Sequence, residues 1–131
     1  MSVRAARKTE LETLLEGLLA LDDAASRKKL VAEHPLADWT TLVGTLAERV
    51  WQEVRVDTLR AERWADIAIE IAEILGDRIS LGKSLRAKAN ALYALNHHAG
   101  AIEFHERAVA AFQQIGDQAE LARTLSSSIQ P

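Results

Sequence analysis

Apolar residues recur along the chain at steps of three and four positions, which is the spacing of one face of an α-helix. The first such stripe consists of Leu11, Leu14, Leu15, Leu18 and Leu19. Later stripes begin near Trp39 and Leu59. The sequence contains neither a long strand alternation nor a hairpin dipeptide such as Asn-Gly. The pattern therefore predicts an all-α protein.

Turn and capping residues separate these stripes. Gly76-Asp77 and Gly116-Asp117 each combine a glycine, which suits the left-handed residue after a helix, with an aspartate, which suits the next N-cap. Asp22 or Asp23 is placed to cap a short second helix that ends at His34-Pro35, because the residue before proline avoids the α region. We expect three antiparallel helix pairs and then a seventh helix near 118–130.

A 40-residue repeat is the strongest signal in the chain. A shift of 40 positions brings residues 61–85 onto 101–125 with six identities. The identical pairs are Ala61 and Ala101, Ala68 and Ala108, Gly76 and Gly116, Asp77 and Asp117, Leu81 and Leu121, and Leu85 and Leu125. Since small residues let two helices cross closely, we expect the alanines of this repeat to be buried.

The repeat resembles the tetratricopeptide family. Residues 85–92 look like the family's first helix with Ala89 at its small position, Asn96 lies at the turn, and Ala101 and Ala108 match the second helix. The resemblance implies a right-handed superhelical stack of antiparallel hairpins, a TPR-like α-solenoid. Asn96 replaces the usual turn glycine, and asparagine tolerates the left-handed backbone that this turn needs.

The domain interpretation follows from the repeat. Residues 1–9 are expected to be a disordered N-terminus, and residues 10–131 a single TPR-like domain. Within that domain we assign a degenerate capping pair to 10–34, repeat 1 to 38–76, repeat 2 to 77–116, and the first helix of an incomplete repeat 3 to 117–131. The last helix carries Leu121, Leu125 and Ile129 with no second helix to cover them. We therefore expect a fragment of a larger protein that forms a homodimer through this helix.

Composition narrows the classes of function. The chain has 16 basic and 19 acidic residues, a net charge of -3, and no cysteine. These counts favour neither nucleic acid nor a membrane as partner, exclude disulfides and thiol chemistry, and fit a cytoplasmic location. The sequence contains no nucleophile elbow, phosphate loop or metalloprotease motif. We expect no enzymatic activity, no catalytic residue and no cofactor.

The concave groove of the solenoid is the candidate binding site that the resemblance implies. Its predicted residues are Lys83, Arg86, Asn90 and Tyr93 from repeat 2, Trp51 from repeat 1, and Arg123 from repeat 3. Arg86 and Asn90 lie one helical turn apart, and a cation beside an amide resembles the pair with which some family members hold a peptide carboxylate. The alternative interpretation is a solvated basic face.

Three tryptophans are the other aromatic candidates. Trp39 begins the third helix and is expected to pack against the capping pair, while Trp64 matches a phenylalanine in the repeat and is expected in the core. Trp51 occupies the same repeat position as Tyr93, which faces the groove in this family. We expect it to be at least half exposed.

The histidines have two interpretations. His97, His98 and His105 could bind a metal, since imidazole is a common ligand and histidines seven positions apart can share a helix face. However, His98 and His105 fall where the family packs aromatic side chains. We expect partly buried rings there, and no metal site.

A second resemblance concerns residues 32–35, 88–95 and 124–131. These segments are similar to N-terminal helical regions of bacterial caspase-like peptidase proteins of the CHAT type, whose peptidase domain is absent from this sequence. The function predicted from all of this is a protein- or peptide-binding scaffold or regulatory module of a larger signalling protein. The alternatives are a sensor for a small molecule or metal and a structural spacer in a longer solenoid.

Overall fold

The structure, a computed structural model, describes the backbone of residues 3–126 and the side chains of residues 9–125. Within this part of the chain the regular structure is entirely helical and comprises seven helices. They are α1 (Val3–Ala20), α2 (Ala24–Glu33), α3 (Trp39–Glu53), α4 (Thr58–Leu75), α5 (Arg78–Ala94), α6 (His98–Ile115) and α7 (Gln118–Ser126). The predicted all-α class and helix number are confirmed. Residues 127–130 of the predicted seventh helix lie outside the described residues.

The predicted turn and capping residues lie where helices end and begin. Gly76 and Gly116 adopt left-handed backbones, with φ of 67° and 68°, directly after α4 and α6. Asn96 does the same after α5 with φ of 64°, as its place in the turn predicted. The Asp77 carboxylate accepts hydrogen bonds from the backbone of Ile79 and Ser80 and so caps α5.

The first helix extends further toward the N-terminus than expected. α1 begins at Val3, ahead of the domain start that we placed at residue 10. The segment contains no proline or glycine, and its alanines, arginines and lysine are good helix formers. The helical pattern therefore continues upstream of the first apolar stripe.

Most of the helices pack against their neighbours in the sequence. From α3 to α7 each helix packs against the next, α1 contacts α3, α3 contacts α5, and α2 contacts α4. Odd-numbered helices thus follow one another along one side of the stack. The right-handed sense of the stack stays a prediction.

Two cores hold the stack together. The first is formed by residues of α1, α2, α3 and α4. It includes Trp39, which is buried with leucines of α1 and donates its indole N–H to the His34 carbonyl at 2.8 Å. This confirms that Trp39 packs against the first two helices. The second core, formed by α3, α4 and α5, is rich in alanine. The repeat alanines Ala68, Ala89, Ala101 and Ala108 are all fully buried, as predicted.

A partly buried ion pair joins α2 to α4. Arg27 of α2 donates to both carboxylate oxygens of Glu70 on α4, at 2.6 and 3.0 Å. The hydrogen bond to Glu70 raises the pKa of Arg27 above its usual value. This two-point contact fixes the position of α2 on α4 more firmly than a single surface contact does.

Candidate functional site

A cavity of about 300 Å³ lies where α3, α5 and α7 meet. Its lining residues are Gly44, Ala47, Glu48, Trp51, Lys83, Arg86, Glu120 and Arg123. We call it the Trp51 cavity. It contains four of the six predicted groove residues, namely Trp51, Lys83, Arg86 and Arg123.

Trp51 provides the aromatic wall of this cavity. Its neighbour Val50 is fully buried, whereas Trp51, about 100° further around α3, is 50% exposed. This agrees with the exposure expected from the repeat position. A half-exposed indole is a common anchor at protein interfaces, because it offers a large rigid apolar surface at little entropic cost.

Lys83 and Arg123 are the accessible cations of the cavity. Lys83 is partly buried on α5 and forms no ion pair with any described residue. Arg123, on α7, contacts Glu120 one turn earlier but leaves 67% of its side chain exposed. An incoming carboxylate therefore meets one unpaired ammonium and one largely exposed guanidinium beside the indole.

Arg86 does not offer the free cation that the sequence predicted. Only 16% of its side chain is exposed, and it donates to Thr124 Oγ1 at 3.0 Å and to Glu120 Oε2 at 3.2 Å. Its guanidinium carbon also lies 5.6 Å from the Phe112 ring centroid, within cation–π range. The expectation that Arg86 is exposed in the groove is therefore wrong, because its side chain binds residues of α7.

Glu120 is the site residue that sequence reasoning missed. The segment after Gly116 resembles a capping box, and Asp117 does accept the Glu120 backbone N–H at 2.9 Å. The reciprocal bond is replaced, since the Asp117 N–H donates to the Phe112 carbonyl at 3.1 Å. The Glu120 carboxylate is therefore free to bind Arg86 and Arg123.

Asn90 and Tyr93 do not line the Trp51 cavity. The Asn90 side-chain nitrogen is buried without an acceptor among the described residues. Tyr93 lies near the end of α5, where its ring centroid is 5.1 Å from that of His98. Neither residue joins Lys83 and Arg86 in this cavity, so a binding surface that includes all four residues stays a prediction.

The histidines are only partly as expected. His98 is exposed at the start of α6, with its ring tilted against that of Tyr93, so the predicted partial burial of its ring is wrong. His105 is partly buried, as expected. Within the described part of the chain no three histidine, aspartate or glutamate side chains group as metal ligands.

A larger open cleft of about 530 Å³ lies between α2 and α4. Ala24, Ala25, Ile69 and Ile74 give it an apolar floor. Two of its acidic residues are engaged, since Glu70 binds Arg27 and Asp66 binds Lys88. Among the described residues its lining includes no aromatic residue, which distinguishes it from the Trp51 cavity.

Comparison of the chain with family models, with curated proteins and with solved structures finds no significant match. The tetratricopeptide and CHAT-protein resemblances thus rest on the residues quoted for them. None of the helices formed by the described residues is both long enough and apolar enough to cross a membrane.

Proposed function

We propose that this chain is a protein-binding module that docks a peptide segment of its partner in the Trp51 cavity. The observation that carries the proposal is the half-exposed indole of Trp51 beside Lys83 and Arg123. Aromatic and arginine side chains in a concave site supply most of the binding energy at interfaces, and neighbouring charges select the partner.

The partner segment is expected to combine an apolar side chain with a carboxylate. The indole favours apolar or aromatic contact, and the cavity's cations favour an acidic group. Glu48, which is exposed on the same wall, disfavours a purely acidic run close to α3. On the resemblance to CHAT-type proteins, we propose that the module serves a regulatory role within a larger signalling protein.

A second copy of the chain is the other partner that we propose. Leu125 on α7 is 54% exposed, and Leu121 on the same helix is only partly buried. Ile129, the third residue of the predicted stripe, lies outside the described residues. A twofold contact between two α7 helices would cover identical apolar patches.

The peptide-binding proposal is tested by selecting ligands from a random peptide library and measuring their affinity by calorimetry. Trp51→Ala should weaken binding about thirtyfold, as expected for a central aromatic anchor. Lys83→Glu should weaken it and flatten its salt dependence. The matched controls are Leu36→Ala and Lys29→Glu, which make comparable changes at exposed positions outside the cavity. Equal affinities in test and control variants would exclude the Trp51 cavity as the binding site.

A small-molecule sensor is the second candidate function. A volume of about 300 Å³ lies at the lower limit of ligand-binding pockets. This function would be favoured if a low-molecular-weight anion raised the melting temperature of the wild type but not of Trp51→Ala, while no library peptide bound.

A further inference from the structure

The two arginines of the Trp51 cavity already hold a carboxylate. Glu120 Oε2 accepts a hydrogen bond from Arg86 at 3.2 Å, and Glu120 Oε1 accepts one from Arg123. Only 9% of the Glu120 side chain is exposed. We infer that Glu120 is an internal ligand of the cavity, and that a partner carboxylate must displace it, and with it α7, to reach Arg86. This inference rests on the proposed peptide-binding function.

The attachment of α7 is suited to displacement. The described part of the helix packs on α6 and leaves Leu125 54% exposed. Arg86 joins α7 to α5 through hydrogen bonds to Glu120 and to Thr124. Helices that bury little apolar surface open at low free-energy cost, so α7 belongs to the part of the fold that can move first.

Displacement also changes which charges of the cavity are free. The lining contains three cations, Lys83, Arg86 and Arg123, and two carboxylates, Glu48 and Glu120. Because Arg123 and Glu120 both belong to α7, they leave together, and the net charge of the remaining lining stays at +1. The guanidinium of Arg86 loses its internal carboxylate and becomes available beside Lys83, so the internal ligand raises the threshold for weakly acidic partners.

A structural ion pair would behave differently from an internal ligand. If the Glu120 contacts only hold α7 in place, a bound peptide adds contacts around α7 and slows its amide exchange. If the partner carboxylate replaces Glu120, α7 loses its link to α5 and its amides exchange faster in the complex. The direction of the change separates the two interpretations.

The first experiment needs no ligand. Amide exchange over residues 118–126 is compared in the wild type, in Glu120→Gln and in Glu48→Gln. Glu48 is the matched control, because it lines the same cavity with the same charge but forms no ion pair with a described residue. We expect faster exchange of α7 in Glu120→Gln and wild-type exchange in Glu48→Gln. Unchanged exchange in Glu120→Gln would overturn the internal-ligand inference while leaving the peptide-binding proposal intact.

The second experiment uses a fluorescein-labelled peptide of alternating glutamate and leucine as the probe, with binding followed by anisotropy. Glu120→Gln should bind it roughly three- to tenfold more tightly than Glu48→Gln does, although both variants lose one negative charge. In the wild type, saturating probe should speed the exchange of α7. Equal affinity gains in the two variants, or slower exchange of α7 in the complex, would overturn the inference. Failure of all three chains to bind, together with failure of the library selection, would instead overturn the peptide-binding proposal on which it rests.

Discussion

The Phe112 ring of α6 occupies the space next to Gly82 of α5, where a Cβ atom would lie 2.6 Å from two of its ring carbons. Phe112 is fully buried and Gly82 is buried within α5, so neither side can yield easily. The packing of Phe112 against α5 therefore depends on the missing side chain at position 82.

Gly82→Ala should consequently destabilise the protein. The added methyl group must push Phe112 out of place, at a net cost of about 1–3 kcal/mol in the free energy of unfolding. Gly44 is the matched control, because it also lies within a helix but a Cβ there would meet nothing within 4 Å. Gly44→Ala should stabilise by about 0.5–1 kcal/mol through helix propensity. Urea denaturation of both variants checks the difference, and equal midpoints would contradict it.

The parts of the fold that could be predicted from the sequence are those decided within a few residues. Gly76, Gly116 and Asn96 mark helix ends because the left-handed backbone is a local requirement. The burial of the small residues of the repeat could also be predicted, since these residues recur at a fixed period. Gly82 was not recognised, because periodicity does not tell which glycine on a buried face meets a ring of another helix.

The site could be predicted only in part, for a similar reason. Trp51, Lys83 and Arg123 follow from helix faces, and the structure brings them into one cavity. The contact between Arg86 and Glu120 joins residues 34 positions apart and depends on how α7 settles on α6. The sequence pattern gave Glu120 a capping role, and its backbone fulfils half of it. The side chain is diverted because two arginines offer a stronger contact than one backbone N–H.

Lys88 is much more buried than the two carboxylates that it binds, so removing the lysine and removing the carboxylates should cost different amounts of stability. Its ammonium lies 2.7 Å from Asp66 and 3.4 Å from Glu62, and its side chain is 9% exposed, whereas those of Asp66 and Glu62 are 56% and 28% exposed. Lys88→Met leaves two carboxylates that water can solvate, so it should cost about 1 kcal/mol or less.

The double change Glu62→Gln with Asp66→Asn should cost more, about 2 kcal/mol or above, because it leaves the Lys88 ammonium buried without a counter-charge. Thermal and urea denaturation of the two variants, compared at the same ionic strength, measure the difference. A larger loss of stability in Lys88→Met than in the double variant would show that the carboxylates, not the lysine, carry the desolvation cost.

The stability of the first turn of α2 should decrease at acid pH. The backbone N–H of Ser26, at 2.7 Å, and then its hydroxyl, at 2.9 Å, lower the pKa of Asp23 from its usual value. Because the folded pKa is the lower one, the cap's contribution is complete above the pKa of the unfolded chain and is lost as pH falls through the folded pKa. The Ser26 amide resonance should therefore shift in that acidic range. Asp23→Asn keeps a capping side chain that does not titrate, and should abolish this transition while leaving α2 formed at neutral pH.

Self-association through α7 is the last prediction, and its physical basis is the exposed apolar surface of that helix. Leu125 is 54% exposed although it continues the stripe that Leu121 begins, so α6 covers only part of this face. Contact with a second copy removes the remaining leucine surface from water. In a twofold dimer each protomer buries the same patch, so the contact is made twice. The weight-average mass from light scattering should therefore rise from monomer toward dimer across a concentration series.

Leu125→Glu should weaken the dimer tenfold or more, because it places like charges opposite each other at the axis. Leu36→Glu makes the same chemical change at an exposed leucine between α2 and α3, and should leave association as in the wild type. A constant monomer mass at all concentrations, or equal effects of the two substitutions, would exclude a dimer built on α7.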